Sequence, residues 1–261
     1  MKLADLLQLE PHGPDTWVGS GPTYPWGGLY GGQIVAQALM AASQSVPAEF
    51  AVHSLHAYFI RRGDASAPIR FEVDRIRDGR TFFTRRVVAR QSTGAILNMS
   101  ASYQLNEEGP VLQTESLPAA PAPETLASDS WSPVFDRRKV QTAERSGRGQ
   151  AWFRMLHEVG AEPVRHACGL AYMSDDVPTN AVVAIHPDRA AAQAGYFAAS
   201  LDHAIWFHKP LRAEDWHLYD FAVHALGNNR GLTIGHIFSS DGAHIATVAQ
   251  ELLVRRKRDA G

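Results

Sequence analysis

The strongest constraint on this chain is that its landmarks come twice. His56-Ala57-Tyr58-Phe59 precedes His203-Ala204-Ile205-Trp206-Phe207 by about 147 residues. Asp78-Gly79-Arg80 precedes Asn228-Asn229-Arg230-Gly231 by about 150, and Thr93-Gly94-Ala95-Ile96 precedes Asp241-Gly242-Ala243-His244 by about 148. Few identities are shared, but a nearly constant offset across three landmarks points to one folding unit given twice. The 261 residues leave about 120 to 130 for each copy, an ordinary domain size.

Each copy reads as a helix followed by a meander. Gly27-Gly28-Leu29-Tyr30-Gly31-Gly32-Gln33 opens a stretch, 34–43, whose apolar residues at 35, 38, 39 and 42 keep helical spacing behind a glycine-rich entry. The period then drops to two, giving strands over 55–60, 69–73, 81–90 and 95–105 with turns at Asp78-Gly79 and Thr93-Gly94. Residues 106–125 are proline-rich, small and polar, as a linker is. A short mixed segment with Trp131, Phe135 and Trp152-Phe153 follows. A second helix is predicted over about 164–175, stopping before Pro178, and strands return over 201–254. One helix-plus-meander unit leaves a sheet edge and a sheet face uncovered, and fusing two covers both. The expected division is a first unit over 1–105, a linker over 106–145 and a second unit over 146–261.

Composition narrows the function. Hydrophobic residues make up 45% and charged residues 20%, and the net charge is −2. That is a globular balance without the basic excess of a nucleic-acid binder or a membrane-surface protein. Residues 1–10 lack the long apolar core of a secretory signal, and no run of about 18 apolar residues predicts a span. The cytoplasm is the default location. Cys168 is the only cysteine; it cannot form an internal disulfide and reads as a small buried hydrophobe, since His166, two residues away, would point elsewhere on a helix. The basic end, 255–261, reads as a solvated tail or a weak contact for an anionic ligand. Twelve histidines are scattered over strands without metal-ligand spacing, so neither metal nor cofactor is expected. Among them His56 is the best rival base, although packing within a strand is its plainer role.

The motifs go further than the pattern. Residues 30–39, 52–59, Arg77-Asp78-Gly79-Arg80 and Arg85-Arg86-Val87 resemble the first half of the acyl-CoA thioesterase II family. Ser200-Leu201-Asp202-His203-Ala204-Ile205-Trp206-Phe207-His208 and Val248-Ala249-Gln250-Glu251 resemble its second half. The likeness runs over about 26–256 and is weakest in the linker. It implies an α+β double hotdog that hydrolyses fatty acyl-CoA to free acid and CoA. It also implies a catalytic trio, which maps onto Asp175, Ser200 and Gln250. Relatives often carry Thr where this chain has Ser200, and Ser lacks the methyl that would restrict its rotamer.

Thioester hydrolysis needs a water held against the carbonyl, a proton acceptor and donors for the developing oxyanion. Asp175 can accept the proton, while the hydroxyl and the carboxamide orient the water. The helix start near Gly32 offers backbone N–H groups for the oxyanion. No Gly-x-Ser-x-Gly elbow calls for an acyl-enzyme. Taken singly, Asp175 also reads as a solvated helix-end carboxylate and Ser200 as an exposed hydroxyl. Gln250, in an apolar strand, wants a partner if buried. Two rivals keep the fold: an enoyl-CoA hydratase, for which no Asp-x(4)-His arrangement is found, and a non-catalytic acyl-thioester-binding module. Arg61, Arg62, Arg80, Arg85, Arg86, Lys209 and Arg212 are candidates to meet CoA phosphates or to be solvated surface. An open hotdog sheet edge makes a homo-oligomer the expected assembly.

Overall fold

The computed structural model describes residues 1–187 and 196–256. A short helix, α1 (Leu3–Leu6), and strands β1 (Glu10–Pro11) and β2 (Thr16–Gly19) lead into helix α2 (Gly31–Ser43). Strands β3 (Phe50–Phe59), β4 (Ile69–Asp78), β5 (Phe82–Gln91) and β6 (Gly94–Leu105) complete the first half. The second half comprises β7 (Phe135–Val140), β8 (Arg148–Met155), α3 (Pro163–Ser174), α4 (Val177–Ile185), β9 (Tyr196–Ser200), β10 (Asp202–Phe207), β11 (His217–Gly227), β12 (Arg230–Ser239) and β13 (His244–Arg256).

The strands form one antiparallel sheet in the order β1-β2-β4-β5-β6-β3-β10-β13-β12-β11-β8-β7, with β9 paired to β13 off that path. The halves join where β3 meets β10, Leu55 lying opposite Ile205. The first meander packs on α2 and the second on α4, while α3 lies against α2, and the joint removes what would be two free edges. The fold is α+β, a hotdog given twice.

Helix α2 is buried from Gly32 to Ala42 because β5 and β6 pack against it on one side and α3 on another. That explains an apolar sequence with so little polar face. Fully burying Val35 or Leu39 contributes about 1.5–3 kcal/mol each. The two polar residues it buries, Gln33 and Gln37, are one turn apart and satisfied in series. Tyr24 Oη donates to Gln33 Oε1 at 2.7 Å, Gln33 Nε2 to Gln37 Oε1 at 3.1 Å, and Gln37 Nε2 to Leu6 O at 2.8 Å. Left unpaired, each buried amide group there would cost about 1–3 kcal/mol, enough to offset the burial of one such side chain.

The structure departs from the sequence reading in four places. Strand β7 lies inside the stretch read as linker and pairs with β8, Arg137 opposite Phe153. The mixed aromatic segment is thus two strands, whose inward residues Phe135 and Phe153 are fully buried. The chain after α3 forms α4, with Pro178 in its first turn, where a missing N–H costs nothing. Strands also resume before residue 201, at β9.

The fourth departure concerns register. His56 points outward, its ring edge-on to Trp206 at 5.0 Å, whereas His203 is fully buried. The inward residues are Leu55 and Ala57 on β3 and His203 and Ile205 on β10. His203 lies opposite Ala57 across the joint and shares the inward face with it, so the landmark offset that sets it against His56 is out of phase by one residue, and in a strand one residue reverses the face. Of the basic end, residues 257–261 lie outside the described residues.

Candidate active site

Three elements from the second half and one from the first converge at the joint. Asp175 caps the C-terminus of α3, Ser200 ends β9, Gln250 is in the middle of β13, and the N-terminus of α2 faces them. Ser200 reaches inward because the strand breaks at Leu201. The Leu201 N–H donates to Glu251 O, and Leu201 O accepts from the Phe59 N–H.

The three sequence-derived residues meet directly. Ser200 Oγ donates to Asp175 Oδ1 at 2.9 Å, and Gln250 Nε2 donates to the same oxygen at 2.8 Å and to Ser200 Oγ at 2.7 Å. Asp175 Oδ2 accepts from the Gly32 N–H at 3.0 Å. That last bond corrects the expectation that Gly32 would be free for an oxyanion: its N–H is spent on the carboxylate. Gly31 explains the close approach, since a Cβ there would lie 2.6 Å from Asp175 Oδ2 and 3.0 Å from the Phe59 ring.

Burial is the main cause that lifts the Asp175 carboxyl from 3.8 to about 6, with the neighbouring charge of Asp176 adding to it. The hydrogen bonds from Ser200, Gln250 and Gly32 pull the other way, so the shift is moderate rather than extreme. Gly32 also brings the positive end of the α2 dipole. Asp176 is itself buried, and Arg137 Nη1 pairs with it at 2.7 Å while Trp131 Nε1 donates to it at 2.5 Å. Both partners come from the region read as linker. The result is a carboxylate that is mostly ionised at neutral pH yet basic enough to take a proton from water.

One further residue was missed by sequence reasoning. His203 is fully buried behind Gln250, with Nδ1 2.6 Å from Gln250 Oε1 and Nε2 2.8 Å from Ser174 Oγ. Burial lowers this imidazole to about 4. The signal was available: alternation along β10 puts His203 on the same face as Ile205, a buried position where histidine needs two partners. His56 is not brought to the site. Arg85, a candidate for CoA phosphate, is fully buried instead and donates to Ser45 Oγ, Ser45 O and Asp78. Cys168 is buried, which raises its thiol. Among the described residues no three His, Cys, Asp or Glu side chains converge as a metal-ligand set, and no helix is long and apolar enough to cross a membrane.

Comparison with known proteins assigns both halves of the chain to one family. Residues 20–104 match the acyl-CoA thioesterase N-terminal domain and residues 114–254 the acyl-CoA thioesterase C-terminal domain. The chain belongs to the acyl-CoA thioesterase family. It is 33% identical to acyl-coenzyme A thioesterase 8 of Mus musculus, covering 98% of this chain and 89% of that one. It is also 33% identical to acyl-CoA thioesterase 2 of Haemophilus influenzae, covering 97% and 96%. The crystal structure of the acyl-CoA thioesterase II TesB2 from Mycobacterium marinum superposes with a TM-score of 0.87 at 36% identity over 100% of both chains. A hot dog fold protein from Alicyclobacillus acidocaldarius, 17% identical, shares the fold with a TM-score of 0.83 over 98% of each chain.

Proposed function

We propose that Asp175, Ser200 and Gln250 activate a water molecule for attack on an acyl-CoA thioester, without a covalent acyl intermediate. Hydrolysis of acyl-CoA thioesters is the activity of this thioesterase family member, and the reading concerns how the site performs it. One observation carries it. A buried carboxylate with a raised proton affinity is held by a hydroxyl and a carboxamide that bring no charge of their own. Asp175 takes the proton from water as the oxygen bonds to the carbonyl carbon. Ser200 and Gln250 fix the water's orientation. The first-turn N–H groups of α2 other than Gly32 lie at the positive end of that helix, where a thioester oxyanion is stabilised. Collapse of the tetrahedral species breaks the C–S bond, and the proton held by Asp175 passes to the departing thiolate, giving free acid and CoA.

Hydration of an enoyl thioester would need a histidine facing the substrate. His203, the histidine in contact with the trio, faces Gln250 and Ser174 instead. Crotonyl-CoA separates the two reactions. Appearance of free thiol with the enoyl absorbance following it supports hydrolysis, and loss of the absorbance without thiol would overturn it.

Three finer points belong to the same reading. The substrates are fatty acyl-CoAs, bound where the two halves meet. The protein acts in the cytoplasm, for which its one cysteine, buried and reduced, is the support. It works as a homo-oligomer, supported by the outward Tyr58 and Trp206, 63% and 38% exposed, on the central strands.

A further inference from the structure

We infer that His203 is a positioning residue. In its neutral Nδ1–H form it locks the Gln250 carboxamide so that its nitrogen, and not its oxygen, faces Asp175. The inference rests on the trio assigned above and adds a member to it.

The hydrogen count leaves one consistent arrangement. Gln250 Nε2 has two hydrogens and two acceptors, Asp175 Oδ1 at 2.8 Å and Ser200 Oγ at 2.7 Å. Ser200 Oγ accepts that bond and donates its own hydrogen to Asp175 Oδ1. The amide oxygen Oε1 must then be the atom facing His203 Nδ1 at 2.6 Å, so Nδ1 carries the hydrogen. A neutral imidazole has one N–H, which makes Nε2 an acceptor. The group beside it, Ser174 Oγ at 2.8 Å, donates its one hydrogen there in preference to the longer 3.2 Å contact with Ala171 O. The chain Ser174 → His203 → Gln250 → Asp175 therefore runs in one direction, every group in it buried.

An amide can rotate about its last torsion and exchange oxygen for nitrogen at little intrinsic cost. Rotation here would turn Oε1 toward a carboxylate and leave Ser200 without its donor. The ionised carboxylate resists that turn, oxygen against oxygen at 2.8 Å, while Ser200 adapts by rotating its hydroxyl. His203 opposes the turn as well, since a flipped amide would set N–H against N–H at 2.6 Å. The identity of residue 203 thus reinforces, from the far side of the amide, the orientation that gives the carboxylate its donors. Carboxylate donors favour the ionised form, so losing the lock raises the proton affinity of Asp175 and withdraws the base at neutral pH. The other groups facing Asp175 stay as they are. These are the Gly32 N–H from α2, the Tyr30 phenol, and Asp176 from the same loop with its Arg137 partner from β7.

The test combines a spectroscopic reading with a pH profile. In 15N-histidine-labelled protein, the signal assigned through His203→Asn should show Nδ1 protonated and Nε2 bare, without titrating between about pH 5 and 8. His203→Leu, which removes the donor, should lower kcat roughly tenfold to hundredfold with little change in KM, and move the acid limb of kcat/KM to higher pH. His203→Asn, whose amide nitrogen takes the place of Nδ1–H, should recover most of the rate and return the limb toward its original position. An Nε2–H tautomer, or a His203→Leu enzyme with wild-type kcat and acid limb, would overturn the inference. Asp175→Asn, measured alongside, separates the layers: if it retains full turnover, the trio itself is misassigned, whereas its loss with an indifferent His203→Leu sinks this inference alone.

Discussion

The two halves place different residues at one position in their sheets. In the first half Leu55 pairs with Ala101 and Ala101 with Arg85. In the second, His203 adjoins Gln250, one step along from the Ala204–Ala249 pair, and Gln250 pairs with Thr233. The inward row that carries Arg85 thus reads Leu-Ala-Arg across three strands, and the inward row that carries Gln250 reads His-Gln-Thr across three strands of the other half. The helix ends match as well. Ser43 and Gln44 close α2, where Ser174 and Asp175 close α3. In the first half Arg85 crosses toward that end and ties down Ser45 through its side chain and carbonyl. In the second half the space holds a carboxylate. Duplication supplies the frame twice, and a handful of inward residues set what each copy holds, a packed guanidinium in the first and a hydrogen-bonded carboxylate in the second. The first half still contributes, because the Gly32 N–H that holds Asp175 belongs to its helix.

This contrast can be broken in four ways. The largest effect expected is on Asp175→Asn, which keeps the shape and removes the base: kcat for acyl-CoA hydrolysis should fall by about a hundredfold or more, with the circular dichroism unchanged. Full activity in that variant would return the chemistry to another residue. Arg85→Met should do the reverse. It removes the donor from three backbone carbonyls, those of Ser45, Arg77 and Thr84, and from Ser45 Oγ, so unfolding free energy should drop by about 2–4 kcal/mol in a denaturant titration. Turnover per folded molecule should be retained, and a large loss of turnover at full folding would mean that the first-half row is more than filling.

Gln250→Ala comes next. It removes one donor from Asp175 and one from Ser200, and kcat should fall roughly tenfold to hundredfold. A change confined to KM would instead make Gln250 a substrate contact. The smallest effect is on stability against pH. A carboxyl raised from 3.8 to about 6 in the folded state favours folding when protonated, and that contribution is lost as pH rises through about 6. Wild type should therefore weaken relative to Asp175→Asn between about pH 4 and 7, by at most about 3 kcal/mol. Parallel curves would mean the carboxyl titrates normally.

Much of this was legible in the sequence, and the limits have physical causes. The helix-plus-meander unit showed through its change of period, and the turns at Asp78-Gly79 and Asn228-Asn229 through residues that accept tight geometry; both asparagines have positive φ, 49° and 58°. Strand β7 did not show because its Asp136, Arg137 and Arg138 look like surface, yet Asp136 and Arg137 are buried among ion pairs. Charge pattern cannot reveal a carboxylate and a guanidinium that will neutralise each other inside. Asp175, Ser200 and Gln250 were visible as a set only through the family resemblance, since no spacing links residues this far apart in the chain. His203 stands within Leu-Asp-His, but histidines scattered over strands look alike in sequence, and only the register of the strand shows that this one faces inward while His56 faces out.

The central claim is that an ionised Asp175 is the base, and the pH dependence of kcat/KM for acyl-CoA hydrolysis addresses it most directly. A proton acceptor must be deprotonated to act, so the account requires the rate to rise with pH and level off with an apparent pKa near 6. An acid limb near the ordinary carboxylate value, or a rate that falls across that range, would contradict it.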